Sequence, residues 1–445
     1  MKVRERPLRR RYGWIGLVVA MGGLAVLLLD RTGDAPHLDD PVMTAADADC
    51  CGEADRRVDP STPLGGAARA EADDTCCGEG RLNLYVMAKT PFDAWTSEGA
   101  DWSWFEDHYA SMVVWEPYWD SRLPDYSRVT VYRNAYAIKI HPDRDARVRE
   151  HPEWILRDAA GDPVYIPYRC DGTCPQYAAD VGNQEYRDHW LADIEALADK
   201  GYRGLYIDDV NLAWRFSDGN GDPVTPVDPR TGRALTLTDW QRDLTEFLEQ
   251  VRAALPDFEI WHNSIWYADA PAFDSPLIDR QIRAADVIQL ERGMNDPGLT
   301  QGSGRFGMET FLRYADRVHS LGTSVAMLDE HAVDEKGQWY NIAGALLVND
   351  GTDLVTTEDW ERIAPTGLFR GFLTDLGDAV GPREVVDGVI TREFTDGLVV
   401  LNQPRSDATV VELAEPWMND DGTLVTSVEL APSEAVLLRR PSAAP

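Results

Sequence analysis

The stretch Lys200-Gly201-Tyr202-Arg203-Gly204-Leu205-Tyr206-Ile207-Asp208-Asp209-Val210 constrains this chain more than any other. It reads as a helix end, a short strand, and two carboxylates at the strand's C-terminal tip. Gly201 suits the left-handed turn that closes a helix. Leu205, Tyr206 and Ile207 are strand formers without a polar break. A buried parallel strand that ends in acid between two helices is the unit in which barrel enzymes place their reacting groups. The competing reading is purely structural: one Asp opens a turn and the other caps the next helix.

The same alternation runs through the chain from Arg81. Strands are expected at 82–87, 111–115, 129–138, 204–207, 258–261, 286–290, 324–328 and 354–357. Helices fit between them at 184–200, 238–254, 307–321 and 341–348, with Thr238 or Asp239 capping the second. Eight strands with intervening helices predict an α/β fold, a (β/α)8 TIM barrel over residues 80–382, in preference to an open doubly wound sheet. Beyond residue 383 short alternating runs are split by Gly, Asp and Pro. They predict a small C-terminal antiparallel β-sandwich domain over 383–440.

The N-terminus carries Lys2, Arg4, Arg6, Arg9, Arg10 and Arg11, followed by an uncharged run from Tyr12 to Leu29. That pattern predicts a signal anchor or signal peptide over 1–30, its basic end cytoplasmic and the remainder exported. An uncleaved, membrane-embedded helix is favoured because Leu27-Leu28-Leu29 is too bulky for a cleavage site. Residues 31–79, rich in Ala, Asp, Gly and Pro, read as a flexible tether. It holds Cys50-Cys51 and Cys76-Cys77, whose pairing stays open. Cys170 and Cys174 form a C-x3-C loop that can close as a disulfide, which an exported context permits.

A net charge of -33 argues against a nucleic-acid partner, which needs clustered Lys and Arg. No G-x-G-x-x-G or Walker loop follows the first strand, and no G-x-S-x-G elbow occurs. His262, Asp208 and Glu291 could in principle ligate zinc. With eight His in the chain and no H-x-H or H-E-x-x-H word, no metal and no cofactor are expected.

The strand tips carry the chemistry. Strand two ends in Trp115-Glu116 with Tyr118 beyond, and strand three supplies Arg133, Asn134, Tyr136 and Lys139. Strand four ends in Asp208-Asp209 with Asn211 and Trp214 beyond. Strand five is followed by His262-Asn263 and Trp266, strand six by Glu291-Arg292, and strand seven by Asp329-Glu330. Aromatic faces cover the C–H faces of sugar rings, while carboxylates, Asn and Arg bond hydroxyls. Glycosidic cleavage needs a protonated donor and a nucleophile or base. Asp208 and Glu291 are the expected pair, with Asp208 as nucleophile or base, Glu291 as general acid, and Arg292 tuning it. The other tip residues are expected to bind substrate. Retention and inversion stay open. Each residue also has a structural reading: Glu291 with Arg292 as an ion pair, Asp329-Glu330 as a loop pair, His262 bonded to backbone. Trp95, Trp102 and Trp104 divide between substrate face and packing. Asp180 and Asn183 read as a turn and helix cap.

An ordered series resembles a known family: His151-Pro152-Glu153-Trp154-Ile155-Leu156-Arg157-Asp158, Gly161-Asp162-Pro163-Val164, Asp180-Val181-Gly182-Asn183 and Gly204-Leu205-Tyr206-Ile207-Asp208-Asp209. It is similar to hypothetical glycosyl hydrolase family fifteen and, more distantly, to polygalactosaminidase-type barrels. The resemblance covers roughly residues 82–440. It implies glycosidase chemistry on a TIM barrel, with the strand-four acid at Asp208 and the strand-six acid at Glu291. The expected protein is an exported glycoside hydrolase acting on a poly- or oligosaccharide. A cell-surface barrel that binds glycan without cutting it, and a transglycosylase, are the alternatives.

Overall fold

The computed structural model describes residues 78–96, 100–265 and 275–441. The N-terminal segments over 1–77, with Cys50, Cys51, Cys76 and Cys77, and Trp266 lie outside the described residues. Among the described residues no helix is long and apolar enough to cross a membrane.

Eight parallel strands close into a barrel. They are β1 (Asn83–Met87), β2 (Ser111–Val114), β3 (Val129–Asn134), β4 (Gly204–Asp208), β5 (Glu259–Ser264), β6 (Val287–Leu290), β7 (Ser324–Asp329) and β8 (Leu354–Thr357). The order around the barrel is β1-β8-β7-β6-β5-β4-β3-β2, so every strand pairs with its neighbours in sequence. Tyr206 of β4 lies opposite Tyr132 of β3 and Trp261 of β5.

The lumen is a packed core. Tyr85, Val113, Tyr206, Trp261, Val287, Ala326 and Leu354 are buried together, with Tyr132 against them, so each strand contributes one residue. Side chains alternate along a strand. The positions two or four residues nearer the C-terminal end therefore share this inner face: Trp115, Asp208, Asn263, Gln289, Glu291, Glu330 and Glu358. Odd steps, such as His262 and Asp329, point the other way.

The outer faces of the strands pack against helices. These include α1 (Trp102–His108), α2 (Gln184–Asp199), α3 (Leu237–Ala254), α4 (Pro276–Arg283), α5 (Met308–Ser320) and α6 (Glu335–Leu346). Asn183 caps α2, accepting from Glu185 N at 2.9 Å and Tyr186 N at 3.2 Å. The cap of α3 is Thr236, which accepts from Asp239 N at 3.1 Å, because Thr238 and Asp239 are already helical. α6 begins at Glu335, where Asp334 accepts from Gly337 N at 2.8 Å; Lys336 and Gln338 obscure its apolar period in the sequence. β3 stops at Asn134 rather than Ile138, since the Asn134 Oδ1 accepts from Tyr136 N at 3.0 Å and Ala137 N at 2.9 Å and turns the chain.

The loops after β3 and β4 contain one word twice, Asp-x-x-Gly-Asp-Pro-Val, at 158–164 and 218–224. Both form the same turn. Asp158 Oδ1 accepts from Ala160 N and Asp162 N, each at 2.9 Å; Asp218 Oδ1 accepts from Asn220 N at 2.7 Å and Asp222 N at 3.1 Å. Gly161 and Gly221 supply the left-handed residue at φ 87° and 86°. The two turns are tied together where Tyr165 and Ser217 exchange backbone hydrogen bonds, each 2.9 Å. A Cys170–Cys174 disulfide closes the segment between them.

The C-terminal part is one antiparallel sheet of six strands. They are β9 (Glu384–Val386), β10 (Val389–Glu393), β11 (Gly397–Asn402), β12 (Thr409–Met418), β13 (Leu424–Leu430) and β14 (Glu434–Arg439), in the order β9-β10-β11-β14-β12-β13. A register shift between Glu412 and Trp417 bends β12. The sheet has its own core around Val389, Val400, Trp417 and Leu438. It is fastened to the barrel by Arg392, whose Nη1 donates to Leu346 O at 2.9 Å and Asn349 O at 2.8 Å.

Candidate active site

Asp208 closes β4 on the inner face. Three donors converge on its carboxylate. The Oδ1 accepts from Asn263 Nδ2 at 2.8 Å and from Asp209 N at 2.8 Å, and the Oδ2 accepts from the Tyr132 hydroxyl. Glu291 follows β6, two strands away. Its Oε2 accepts from the same Asn263 Nδ2, also at 2.8 Å. The facing oxygens of the two acids therefore lie within twice that distance of each other.

Burial pushes the Glu291 carboxyl up to about 7, the Asp208 charge adds to the rise, and Asn263 and Arg215 oppose it. Burial, then the neighbouring Asp208, raises Asp209 to about 7 as well. Asn134 Nδ2 donates to Asp209 Oδ2 at 2.6 Å. Each acid of the pair is followed by a non-glycine residue in the left-handed region, Asp209 at φ 61° and Arg292 at φ 78°. Arg in particular rarely adopts this conformation, and such residues collect at functional sites. Gly293, at φ 60°, completes the sharp exit from β6, where a Cβ would stand 2.8 Å from the Asp329 Cα.

Beneath the acids runs a buried polar chain. Asn263 Oδ1 accepts from Gln289 Nε2 at 2.9 Å; that nitrogen also donates to the Tyr206 hydroxyl at 2.7 Å, and the Tyr85 hydroxyl donates to Gln289 Oε1 at 2.9 Å. Beside them three rings stack: Trp115 on Tyr132 at 5.3 Å and Tyr132 on Tyr206 at 5.9 Å. Half-buried Trp115 offers an apolar face next to the acid pair. Glu330, also on the inner face, has its pKa raised by burial and by Glu358, with Arg292 and Lys89 opposing. Lys89 Nζ lies 2.9 Å from Glu358 Oε1.

Several expected ligands are placed elsewhere. His262 is fully buried behind the sheet, its Nδ1 2.9 Å from Gln281 Nε2 of α4, and burial lowers its pKa to about 3. It cannot join Asp208 and Glu291 around a metal. Asp329 is also fully buried, accepting from Asn295 N at 3.0 Å, Asn295 Nδ2 at 2.7 Å and His331 N at 3.0 Å. It fastens the loop after β6 instead of facing a ligand. Both corrections follow from strand parity.

Glu116 is held by cations, Arg133 at 3.1 Å and Lys200 at 2.5 Å, outside the lumen. Tyr118 donates to Asp93 at 2.7 Å under the Arg122 guanidinium, joining the loops after β1 and β2. Tyr136 is buried edge-on against Trp240 at 5.0 Å. Asn211 is buried as a strap, its Oδ1 accepting from Ile265 N at 2.9 Å. Trp214 leans on Phe216 at 5.6 Å. Asn134 holds Asp209, as above. Arg292 acts on Glu330 and Asp296; the cation that opposes the rise at Glu291 is Arg215. Trp102 and Trp104 pack around Phe105, and Trp95 packs on Trp360. Tyr132, Gln289 and Arg215 escaped the sequence reading. Gln289 lies two residues before Glu291, so parity with that acid would have found it.

Among the described residues, His319, Asp350 and Asp353 are the group with metal-ligand potential, their candidate atoms within 4.8 Å of one another. They sit at the opposite end of the barrel, before β8. His319 Nε2 and Asp353 Oδ1 are already 2.8 Å apart, a hydrogen-bonded pair that needs no ion.

A closed parallel barrel with two carboxyl groups on its inner face at the C-terminal mouth is the arrangement that TIM-barrel glycosidases use. Within that class the chain belongs to hypothetical glycosyl hydrolase family 15, whose model matches residues 117–398. Family and fold together support a glycoside hydrolase. Solved structures similar to it include the glycoside hydrolase domain of PelA from Pseudomonas aeruginosa, at 14% identity and TM-score 0.38, covering 62% of this chain and 94% of that one. Eubacterium rectale Amy13B is 9% identical with TM-score 0.47, covering 82% and 97%. Trehalose-6-phosphate hydrolase of Bacillus licheniformis is 10% identical with TM-score 0.47, covering 81% and 99%. No curated protein matches the chain.

Proposed function

We propose that this protein cleaves a poly- or oligosaccharide by a two-carboxylate mechanism with retention of configuration. The observation that carries the reading is the sharing of one Asn263 nitrogen, 2.8 Å from an oxygen of each acid. Retaining enzymes keep their carboxyl groups about 5–5.5 Å apart, whereas inverting enzymes leave roughly 6.5–9.5 Å for a water. Twice the shared hydrogen-bond length stays below the inverting range.

Glu291 is the general acid. Its raised pKa keeps a proton available near neutrality for the departing glycosidic oxygen. Asp208, met by three donors, is the nucleophile. It attacks the anomeric carbon as the C–O bond breaks and the leaving oxygen takes the Glu291 proton. Water, deprotonated by Glu291, then releases the sugar from Asp208. Trp115 takes the sugar's C–H face, and Asp209, Arg292 and Glu330 bond hydroxyl groups. The basic N-terminus and the uncharged run after it support export and a membrane tether.

Asp208→Asn and Glu291→Gln in the full chain, assayed on a panel of glycans, test the reading. Loss of cleavage in both is expected, and wild-type hydrolysis by either removes that residue from the mechanism. Proton NMR of the first-formed anomer tests retention. A barrel that only binds glycan has no need of two acids on one amide.

A further inference from the structure

We infer that Gln289 is a positioning residue that locks the Asn263 amide in one orientation and thereby leaves the Glu291 proton to the ligand in the barrel mouth. The inference rests on the glycosidase reading of Asp208 and Glu291.

Gln289 is fully buried in the lumen, below both acids and in contact with neither through any hydrogen bond named above. Its hydrogen bonds have one polarity. The Tyr85 hydroxyl donates to its carbonyl at 2.9 Å, and its amino group donates to Asn263 Oδ1 at 2.9 Å and to the Tyr206 oxygen at 2.7 Å. Asn263 continues the series, donating from Nδ2 to both carboxyl groups at 2.8 Å.

An amide can turn over at almost no intrinsic energy, so its orientation is set by partners. While both acids are charged, they accept only, and Asn263 must show them its amino group. Once Glu291 is protonated, only the Asp208 carboxylate still demands the Asn263 amino group from above. The Glu291 hydroxyl could donate to an overturned Asn263 carbonyl and spend its proton there. Gln289 opposes that from below. An overturned Asn263 would aim its amino group at the Gln289 amino group, and two donors would meet in a buried site with neither satisfied. Gln289 could overturn in turn only if the Tyr85 hydroxyl turned to accept and the Tyr206 hydroxyl turned to donate, so the whole buried chain would have to reverse together. The Asp208 carboxylate above and the Gln289 amino group below together keep the Asn263 amino group on Glu291 in both protonation states. Neutral Glu291 keeps a free O–H for an oxygen in the mouth.

The test compares Gln289→Met, Asn263→Leu and the double variant in the full chain. Glu291 is titrated by carbon-13 NMR of labelled Glu, its signal assigned by its loss in Glu291→Gln. In Gln289→Met the Glu291 midpoint is expected to rise by about half a pH unit or more, as a donor bond is lost and a carbonyl is admitted. kcat is expected to fall about tenfold, the worth of one charge-assisted hydrogen bond, with KM within twofold. The double variant should match Asn263→Leu alone, because Gln289 acts through Asn263. An unchanged midpoint, or additive effects in the double variant, overturns the inference. If Gln289→Met does not fold, Tyr85→Phe removes the group that orients Gln289 and should move the midpoint in the same direction; no movement overturns it. The titration needs no substrate, so a wild type that cleaves no glycan refutes the proposed function while the positioning result still stands or falls by itself.

Discussion

Asp208 and Glu291, on strands with β5 between them, accept hydrogen bonds from a single nitrogen of Asn263 at the same distance of 2.8 Å. Burial first, and then the nearby Asp208 charge, hold the proton on Glu291. Glu291 is thereby an acid near neutrality.

The first expectation is a pH profile. Glu291, raised to about 7 chiefly by burial, works as an acid only while protonated. kcat/KM should therefore fall as pH rises through about 7. Glu291→Gln should lower kcat on substrates with poor leaving groups by about 10²–10⁴ and abolish that limb. Steady-state rates over pH 4–9 check this; an unchanged basic limb in the variant assigns the acid elsewhere.

The same carboxyl sets a stability signature. Unfolded, it ionises near its ordinary value of 4.5; folded, it holds its proton to about 7. The folded chain binds the extra proton in that interval. Its stabilising contribution is whole below the unfolded value and lost as pH rises through the folded one. Glu291→Gln does not titrate. The Tm of the variant minus that of the wild type should therefore grow by a few degrees from pH 4.5 to 8, for a difference on the order of 2 kcal/mol. Calorimetry at the two pH values measures it, and a flat difference contradicts the assigned burial.

Tyr132→Phe removes the hydroxyl that donates to Asp208 but keeps the ring between Trp115 and Tyr206. The expected result is a kcat about tenfold lower with KM nearly unchanged and Tm within about 2 °C. A rise in KM alone would make Tyr132 a sugar platform and nothing more.

His262→Ala separates a buried packing residue from a ligand. The ring fills the space between β5 and α4 and bonds Gln281 at 2.9 Å. Its removal leaves a cavity and an unpartnered amide, with an expected loss of about 2–4 kcal/mol seen in denaturant titration. Well below the Tm, KM should match the wild type; a KM raised tenfold would return His262 to the substrate site.

The strands were legible because each is a short apolar run, two of them set off by the left-handed Gly201 and Gly322 that follow the preceding helices. Seven of them lie within a few residues of their expected bounds, and β3 is shorter only because Asn134 turns the chain. The candidate site was less legible for one physical reason. A residue's place next to an acid in the sequence does not say which face of the sheet it occupies. His262 and Asp329 adjoin Asn263 and Glu330, and a single step in a strand put each of them on the opposite side. Glu116, Tyr118 and Asn211 were drawn off by partners remote in sequence: Lys200, Asp93 and Ile265.

Apolar periodicity, Gly201 and the acids at the ends of β4 and β6 determine, by local chemistry alone, a parallel barrel with Asp208 and Glu291 at its mouth. Only the tertiary structure decided that the two acids share Asn263, that Gln289 stands beneath it, and that the Arg215 charge opposes the rise at Glu291 while Arg292 opposes that at Glu330. Those relations depend on the closure of the barrel, which brings residues from β3, β4, β5 and β6 within hydrogen-bond reach and removes the water that would otherwise keep their charges independent.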